Sequence, residues 1–367
     1  MIQHQTRAFG SPSRYIQGRY EIDRLKDYTD AYGGKVFILV DTFFFNDYRV
    51  KFTEMYAQGD SKVMILEFKG EITAERINEI AEQAKDFAPD VVAGMGGGKT
   101  MDTAKAVADI FKAAAVIIPT TASTDAPTIG LSMLYNDAGE HIGARHYAKN
   151  PDLVLLDTDI ISKAPIRFLV AGMGDALATF VETRANLESS SPNLIGKGFC
   201  ATVAAKAIAE ACHKTILAKG VSAKLAAEKG LCTIDVEDVI EANTLLSGLG
   251  VQNTSAAGAH SVAEGITFIP ACAKLPHGEV VGFGILVQLI IEGRSKEEIK
   301  EMYDFFQAVG LPTTFDSLGI RGVSADDIMR VAEESFKSYW DVEPFPVTAQ
   351  MIYDAIIMAD TLGCLYQ

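Results

Sequence analysis

The stretch "DVVAGMGGGKTMDTAK", residues 90–105, decides how the chain is read. It comes close to two phosphate-binding patterns and completes neither. A P-loop, G-x-x-x-x-G-K-[ST], finds its end in Gly98-Lys99-Thr100, but its first glycine falls on Ala93. The dinucleotide pattern G-x-G-x-x-G begins with Gly94 and Gly96, but its third glycine falls on Lys99. The physics behind both patterns still applies. An apolar strand runs into a glycine turn and then into "KTMDTAKAVADIFK", which has helical periodicity. Backbone N–H groups at the start of such a helix face an anion closely, because glycines put no side chain in the way.

Outward from this stretch, short apolar runs alternate with helical patterns. "KVFILVD" (35–41), "KVMILEF" (62–68), "AAVIIPT" (114–120) and "DLVLLD" (152–157) read as buried strands, and "ITAERINEIAEQAKDF" (72–87) as an amphipathic helix. Such alternation implies right-handed crossovers and a mostly parallel, Rossmann-like sheet. "LSMLYNDAGEHIGARHY" carries an Asn-Asp-Ala-Gly turn and reads as a hairpin. After about residue 160 the strand signals stop, and seven helical patterns follow, from "APIRFLVAGMGDALATFVETRAN" to "TAQMIYDAIIMADTLG". The expected architecture is an α/β nucleotide-binding domain, residues 1–160, and an all-α domain, residues 161–367. Ligands of open parallel sheets bind at the carboxyl ends of the strands. A helical domain facing that edge would make an inter-domain cleft, the expected place of the active site.

Composition excludes several roles. The net charge of −15 argues against nucleic acid or an anionic membrane as partner. The longest apolar runs, such as "GFGILVQLII" (282–291), are too short to span a bilayer and read as buried helix. The first fifteen residues lack an apolar core, so no signal peptide is expected. Five scattered cysteines, with no C-x-x-C pair, read as buried apolar thiols in a reducing compartment; a cytoplasmic protein is expected.

Of the six histidines, His4, His141, His146 and His213 stand in polar or loop-like surroundings and read as solvated. His260 and His277 stand in apolar, small-residue segments, "SAAGAHSVAEG" and "ACAKLPHGEVVGFG". A lone histidine in such a setting is usually a satisfied core residue. A carboxylate among apolar residues, Asp175 in "LVAGMGDALATF", changes the weighing, because it would lose hydration unless paired or bound to a cation. One Asp and two His with open positions form a ligand set for catalytic Zn²⁺ or Fe²⁺. Spacing alone does not join them, since Asp175 and His260 are 85 residues apart.

"GMGGGKTMDTAK", "IPTTASTDAPT", "NPDLVLLDTDII", "APIRFLVAGMGDALATF" and "LPHGEVVGFGILVQL" occur in this order along nearly the whole chain. In this combination the sequence resembles the glycerol dehydrogenase branch of the iron-containing (group III, metal-dependent) alcohol dehydrogenases. The resemblance implies the two-domain fold already read from periodicity, and it assigns roles. Asp175, His260 and His277 would hold the metal, with Zn²⁺ ranked ahead of Fe²⁺. Gly96, Gly97, Gly98, Lys99 and Thr100 would cover the pyrophosphate of NAD, and Thr120, Thr121 and Ser123 would form a second nucleotide-binding turn. Asp102, Leu131 and Tyr135 join the nucleotide set, and Asp125 would lie beside the substrate. Asp41, at a strand end, could accept hydrogen bonds from a ribose and would repel a 2′-phosphate, which favours NAD over NADP.

The implied reaction is NAD-linked oxidation of a small polyol, glycerol or a vicinal diol, to the hydroxyketone, and its reverse. The metal acts as a Lewis acid on the substrate hydroxyl, and the cofactor takes the hydride. The alternative is the same chemistry on a 2-hydroxy acid or a glycerol phosphate. An ATP-binding reading of "GGGKT" lacks the first P-loop glycine. The resemblance also implies a homo-oligomer. Two runs depart from the branch. His260-Ser261-Val262-Ala263-Glu264-Gly265 replaces a His-x-x-His-Asn-Gly run, and Ile129-Gly130 replaces Ser-Ala. Both fall near the expected nicotinamide and substrate region.

Overall fold

The computed structural model describes residues 5–136, 139 and 141–366. His4, and Asp137 and Ala138 of the expected hairpin turn, lie outside the described residues. The chain divides into two compact units. One comprises Gly10–Ala122 and Ala126–Ala164; the other comprises Pro165 onward, the stretch up to Phe9, and the three residues Ser123–Asp125.

The first unit is built on β1 (Tyr15–Gly18), β2 (Lys35–Asp41), β3 (Lys62–Phe68), β4 (Val91–Gly96), β5 (Ala114–Pro119), β6 (Leu131–Tyr135), β7 (His141–His146) and β8 (Leu153–Asp157). Six of these make one parallel sheet in the order β1-β8-β5-β4-β2-β3. Strands β2, β4, β5 and β8 are almost wholly buried, which is why their sequences are continuous apolar runs rather than alternating ones. The helices are α1 (Leu25–Thr29), α2 (Thr42–Tyr56), α3 (Ala74–Ala84), α4 (Gly98–Phe111) and α5 (Thr158–Ile161). Helix α3 buries Ile77, Ile80, Ala81 and Ala84, the face its periodicity foretold. Strands β6 and β7 form the expected antiparallel hairpin. Strand β1 was not foreseen: YIQG is four residues long and only half-buried, so it carries no apolar run. Asp41 therefore ends the second strand of the chain, although the run 35–41 is the first that its apolar sequence announces.

Chain order reverses at the centre of this sheet. From β2 the chain first adds β3 on one side, then returns to place β4, β5 and β8 on the other. The ends of β2 and β4 flank this switch point, where a doubly wound sheet opens a crevice for ligands.

The second unit carries α6 (Ile166–Ser189), α7 (Val203–Ala227), α8 (Ile234–Glu241), α9 (Ser247–Asn253), α10 (Gly258–Ile266), α11 (His277–Ile291), α12 (Lys296–Val309), α13 (Ala325–Ser335) and α14 (Ala349–Tyr366). A π-helical turn, Ala242–Leu246, links α8 to α9. Apart from one bridge between Arg7 and Cys200, no strand pairing occurs among its described residues. Helix α11, which contains "GFGILVQLII", is buried from Gly278 to Leu289. Among the described residues no helix is long and apolar enough to cross a membrane.

Glycines set how closely α6, α10 and α11 approach. A Cβ on Gly174 of α6 would lie 2.1 Å from the Gly278 carbonyl oxygen, and one on Gly278 would lie 1.8 Å from the Ala171 oxygen. A Cβ on Gly284 of α11 would lie 2.2 Å from the Ala259 oxygen of α10. These are backbone-to-backbone contacts that no other residue permits. The two-pronged pair of Arg167 with Glu279, at 2.5 and 2.8 Å, ties the first turns of α6 and α11 together.

Candidate functional site

Asp175 follows Gly174 on α6, and His277 precedes Gly278 on α11, so the close helix crossing brings their side chains together. His260 comes from the first turn of α10. His260 Nε2 and His277 Nε2 each lie 3.5 Å from Asp175 Oδ1, and one donor atom from each residue lies within 4.8 Å of the others. The three residues that sequence spacing could not connect are adjacent in space.

Asp175 is buried, and its Oδ1 has no hydrogen-bond partner. Its Oδ2 accepts the Asp125 N–H at 3.2 Å. Burial alone would raise the Asp175 pKa, but the two imidazoles and that N–H outweigh it and hold the carboxyl below its ordinary value. An unpartnered buried oxygen facing two imidazole nitrogens is costly unless something shared fills the space between them. Three donors of these types, with His277 half-exposed, suit a divalent metal with an open position. The residues fit the metal that the donor set implies.

Around His260 the packing is polar and complete. Its Nδ1 lies 2.7 Å from Glu182 Oε2 on α6, and its N–H donates to Glu182 Oε1 at 2.9 Å. The Ala257 N–H donates to the same Oε1 at 2.8 Å, and the Ala259 N–H donates to Gln288 Oε1 at 2.8 Å. Burial disfavours the imidazolium, but the Glu182 and Asp175 carboxylates more than compensate and raise the His260 pKa well above its usual value; a metal bound at Nε2 would displace the proton there and leave a neutral ring. Sequence reading missed Glu182. The signal was available: it lies seven residues after Asp175, two turns along one face, in a run whose other members are apolar or small.

The glycine loop of the first unit is built from packing constraints. A Cβ on Gly94 would meet the Ala104 Cβ at 2.5 Å, and one on Gly96 would meet Thr100 Oγ1 at 2.7 Å and the Asp41 Cβ at 2.9 Å. Gly94 and Gly96 thus let strand, helix and the end of β2 close on one another. Gly97 and Gly98 differ: a Cβ on either would meet nothing within 4 Å. They leave an open space before the N-terminus of α4, which no side chain caps. The uncapped backbone N–H groups at the start of α4 therefore border open space, next to the end of β2 that carries Asp41. Asp41 caps α2 by accepting the Phe43 N–H at 2.9 Å. Lys99 Nζ, half-exposed, lies 2.5 Å from Glu71 Oε1, and Thr100 and Thr120 are buried, with the Thr120 N–H donating to the Gly96 oxygen at 3.1 Å.

Other expected residues serve different partners. The Asp102 carboxylate accepts from Lys105 Nζ at 3.0 Å and from the Met133 N–H at 2.9 Å, while Lys105 also binds the Ala126 and Leu131 oxygens. This buried group anchors the stretch that leads into β6. Leu131 and Tyr135 lie at the two ends of β6, and Tyr135 packs on His141 at 5.8 Å. Thr121 stays with the sheet unit, whereas Ser123 and Asp125 belong to the helical one. Glu264, one turn after His260, has its Oε2 2.5 Å from Ser338 Oγ. His141 and His146 are exposed as expected. His213 corrects the sequence reading. It packs on Phe180, its Nδ1 is buried without a partner, and burial with the nearby Arg184 pushes its pKa down to about 4.

Residues 12–158 match the family model for iron-containing alcohol dehydrogenase. A glycerol dehydrogenase of Thermotoga maritima is 41% identical over 96% of both chains. A glycolaldehyde reductase of Halobacterium salinarum is 38% identical over 98% of both. The crystal structure of a glycerol dehydrogenase from Schizosaccharomyces pombe superposes with a TM-score of 0.95 at 35% identity, covering 99% of this chain and 93% of the other. With its nearly full-length similarity to these proteins, the chain belongs to the iron-containing alcohol dehydrogenase family, in its glycerol dehydrogenase branch.

Proposed function

We propose that this protein is an NAD-dependent dehydrogenase that oxidises glycerol or another vicinal diol to the hydroxyketone, and runs the reverse reaction, with one divalent metal, Zn²⁺ before Fe²⁺. The observation that carries the reading is the unpartnered, buried Asp175 Oδ1 set 3.5 Å from two imidazole nitrogens. The glycerol dehydrogenase relatives support the substrate class. When bound, the metal supplies Lewis acidity toward a hydroxyl oxygen, and NAD supplies the hydride acceptor.

The chain's own residues do the rest. Asp175, His260 and His277 contribute one negative charge and two neutral donors, leaving net positive charge to favour an oxyanion over an alcohol. Asp125, tied to Asp175 through its backbone N–H, accepts a hydrogen bond from the hydroxyl that is not oxidised. Gly97, Gly98 and the first turn of α4 receive the cofactor pyrophosphate, with Lys99 as a point charge. Asp41 accepts from the adenosine ribose.

A second reading keeps the site and shortens the substrate. The glycolaldehyde reductase similarity favours a two-carbon hydroxyaldehyde, whose two oxygens have the same vicinal spacing. One assay separates the readings. NADH formation or consumption is followed by absorbance with glycerol, 1,2-propanediol, ethylene glycol, 1-propanol, lactate, dihydroxyacetone and glycolaldehyde. A vicinal diol should exceed 1-propanol in kcat/KM by roughly tenfold or more, the worth of one well-placed hydrogen bond. Equal rates on diols and 1-propanol, or a preference for lactate, would refute the diol assignment.

A further inference from the structure

Glu182 is wholly buried and uses both oxygens on one short segment of chain. Its Oε1 accepts from the Ala257 and His260 N–H groups at 2.8 and 2.9 Å, and its Oε2 faces His260 Nδ1 at 2.7 Å. A carboxylate accepts hydrogen bonds and does not donate, so the proton of that contact sits on Nδ1. A neutral imidazole protonated on Nδ1 presents a lone pair at Nε2, the atom that faces Asp175.

We propose that Glu182 is the positioning residue of the metal centre: it fixes His260 in the Nδ1–H form and aims Nε2, while pinning the first turn of the helix that carries the ring. This rests on the metal reading given above. Asp175 and Glu182 lie two turns apart on α6, so one rigid helix supplies both a metal ligand and the group that orients a second ligand. A purely structural role, capping α10, is the competing account, and the two separate chemically. In Glu182→Gln, Oε1 can still accept from both backbone N–H groups, so the cap survives. The amide NH₂ replaces Oε2 and donates to Nδ1, which moves the ring proton to Nε2 and blocks it as a ligand.

The test uses the full-length enzyme loaded with Zn²⁺ or Co²⁺. Zn²⁺ affinity, measured by competition with a chromophoric chelator, should fall by about 10- to 100-fold in Glu182→Gln, with partial recovery in Glu182→Asp. The Tm of the metal-free variant should stay within a few degrees of wild type. In the Co²⁺-loaded wild-type enzyme, ¹H NMR should show a hyperfine-shifted His260 Nδ1–H that exchanges slowly with D₂O, and Glu182→Gln should lack it at saturating Co²⁺. Zn²⁺ affinity in Glu182→Gln within about twofold of wild type would overturn the proposal, as would a wild-type His260 N–H that exchanges as fast as that of His277. If Glu182→Gln does not fold, the wild-type cobalt spectrum decides alone. Metal uptake that Asp175→Asn abolishes but Glu182→Gln leaves untouched would overturn this inference only. A wild-type enzyme that takes up no stoichiometric metal would overturn the metal reading itself, and this inference with it.

Discussion

Asp41 performs two tasks that one substitution can separate. It caps α2 through the Phe43 N–H, and it stands at the strand end where a ribose is expected. Asn caps a helix about as well as Asp but carries no charge. Asp41→Asn should therefore keep the Tm while narrowing the preference for NAD over NADP, which we expect to be at least about tenfold, roughly 1.4 kcal/mol, in the parent enzyme. An unchanged kcat/KM ratio for the two cofactors would remove Asp41 from the ribose. Glu343 gives a prediction in pH. Burial, with Glu292 and Glu182 nearby, pushes its pKa up to about 8 from an ordinary 4.5. Its Oε1 accepts from Gln288 Nε2 at 2.9 Å, while its Oε2 is buried without a partner. The folded protein thus keeps a proton that the unfolded chain releases, so stability falls as pH rises through this window and levels off above about 8. Glu343→Gln should raise the Tm at pH 8.5 and change it little near pH 4.5. A pH-independent difference in scanning fluorimetry would contradict the assignment. At this scale the sequence was legible where a residue stood out from its surroundings, as Asp175 does. It was illegible where a partner decides the state, as Phe180 and Arg184 do for His213.

Elements were legible where apolar residues run on without a break, in the buried strands and also in the half-buried β3. Strands β2, β4, β5 and β8 announce themselves as apolar runs, and the strand–glycine–helix stretch at residues 90–105 reads directly as β4, an open glycine turn and α4. Strand β1 and helix α10 did not. Helix α10 is nine residues rich in glycine and alanine, and its first turn is held by Glu182 and Gln288 from other helices, so propensity alone could not report it. Glycine positions divide by what a methyl group would strike. Gly97→Ala should leave the fold intact, because the space there is open, yet weaken NAD affinity by obstructing the phosphate. Gly96→Ala should destabilise by about 1–3 kcal/mol or more, because Thr100 and the end of β2 cannot both move away. Urea denaturation and NAD titration of the two variants check this; equal losses of stability would disprove the distinction. Gly278→Ala should act on the metal, since α11 would have to withdraw from the Ala171 carbonyl and carry His277 with it.

At the scale of the molecule, the change from strand signals to helix signals near residue 160 was readable because the two periods differ. The membership of Ser123–Asp125 was not, because three polar residues have no period. Metal removal offers the broadest test. A ligand that binds only the folded state stabilises it by about 2.7 kcal/mol at one hundred times its Kd. Stripping with a chelator should lower the Tm, and added Zn²⁺ should restore it in a concentration-dependent way in wild type but not in Asp175→Asn. Identical melting with and without Zn²⁺ would argue against a resident ion.

The short segment Ser123–Asp125 has a consequence for dissecting the gene. Its flanking residues on both sides belong to the sheet unit, yet the segment itself groups with the helical one, and the Asp125 N–H serves Asp175 Oδ2. No single cut can therefore yield the two units as complete fragments. A polypeptide starting at Pro165 would retain Asp175, His260 and His277 but lose a donor to the first of them. Such a truncated helical piece should hold its ion more loosely than the intact chain. A synthetic peptide spanning the missing turn, added in trans, is the natural reagent for asking whether that one amide accounts for the deficit.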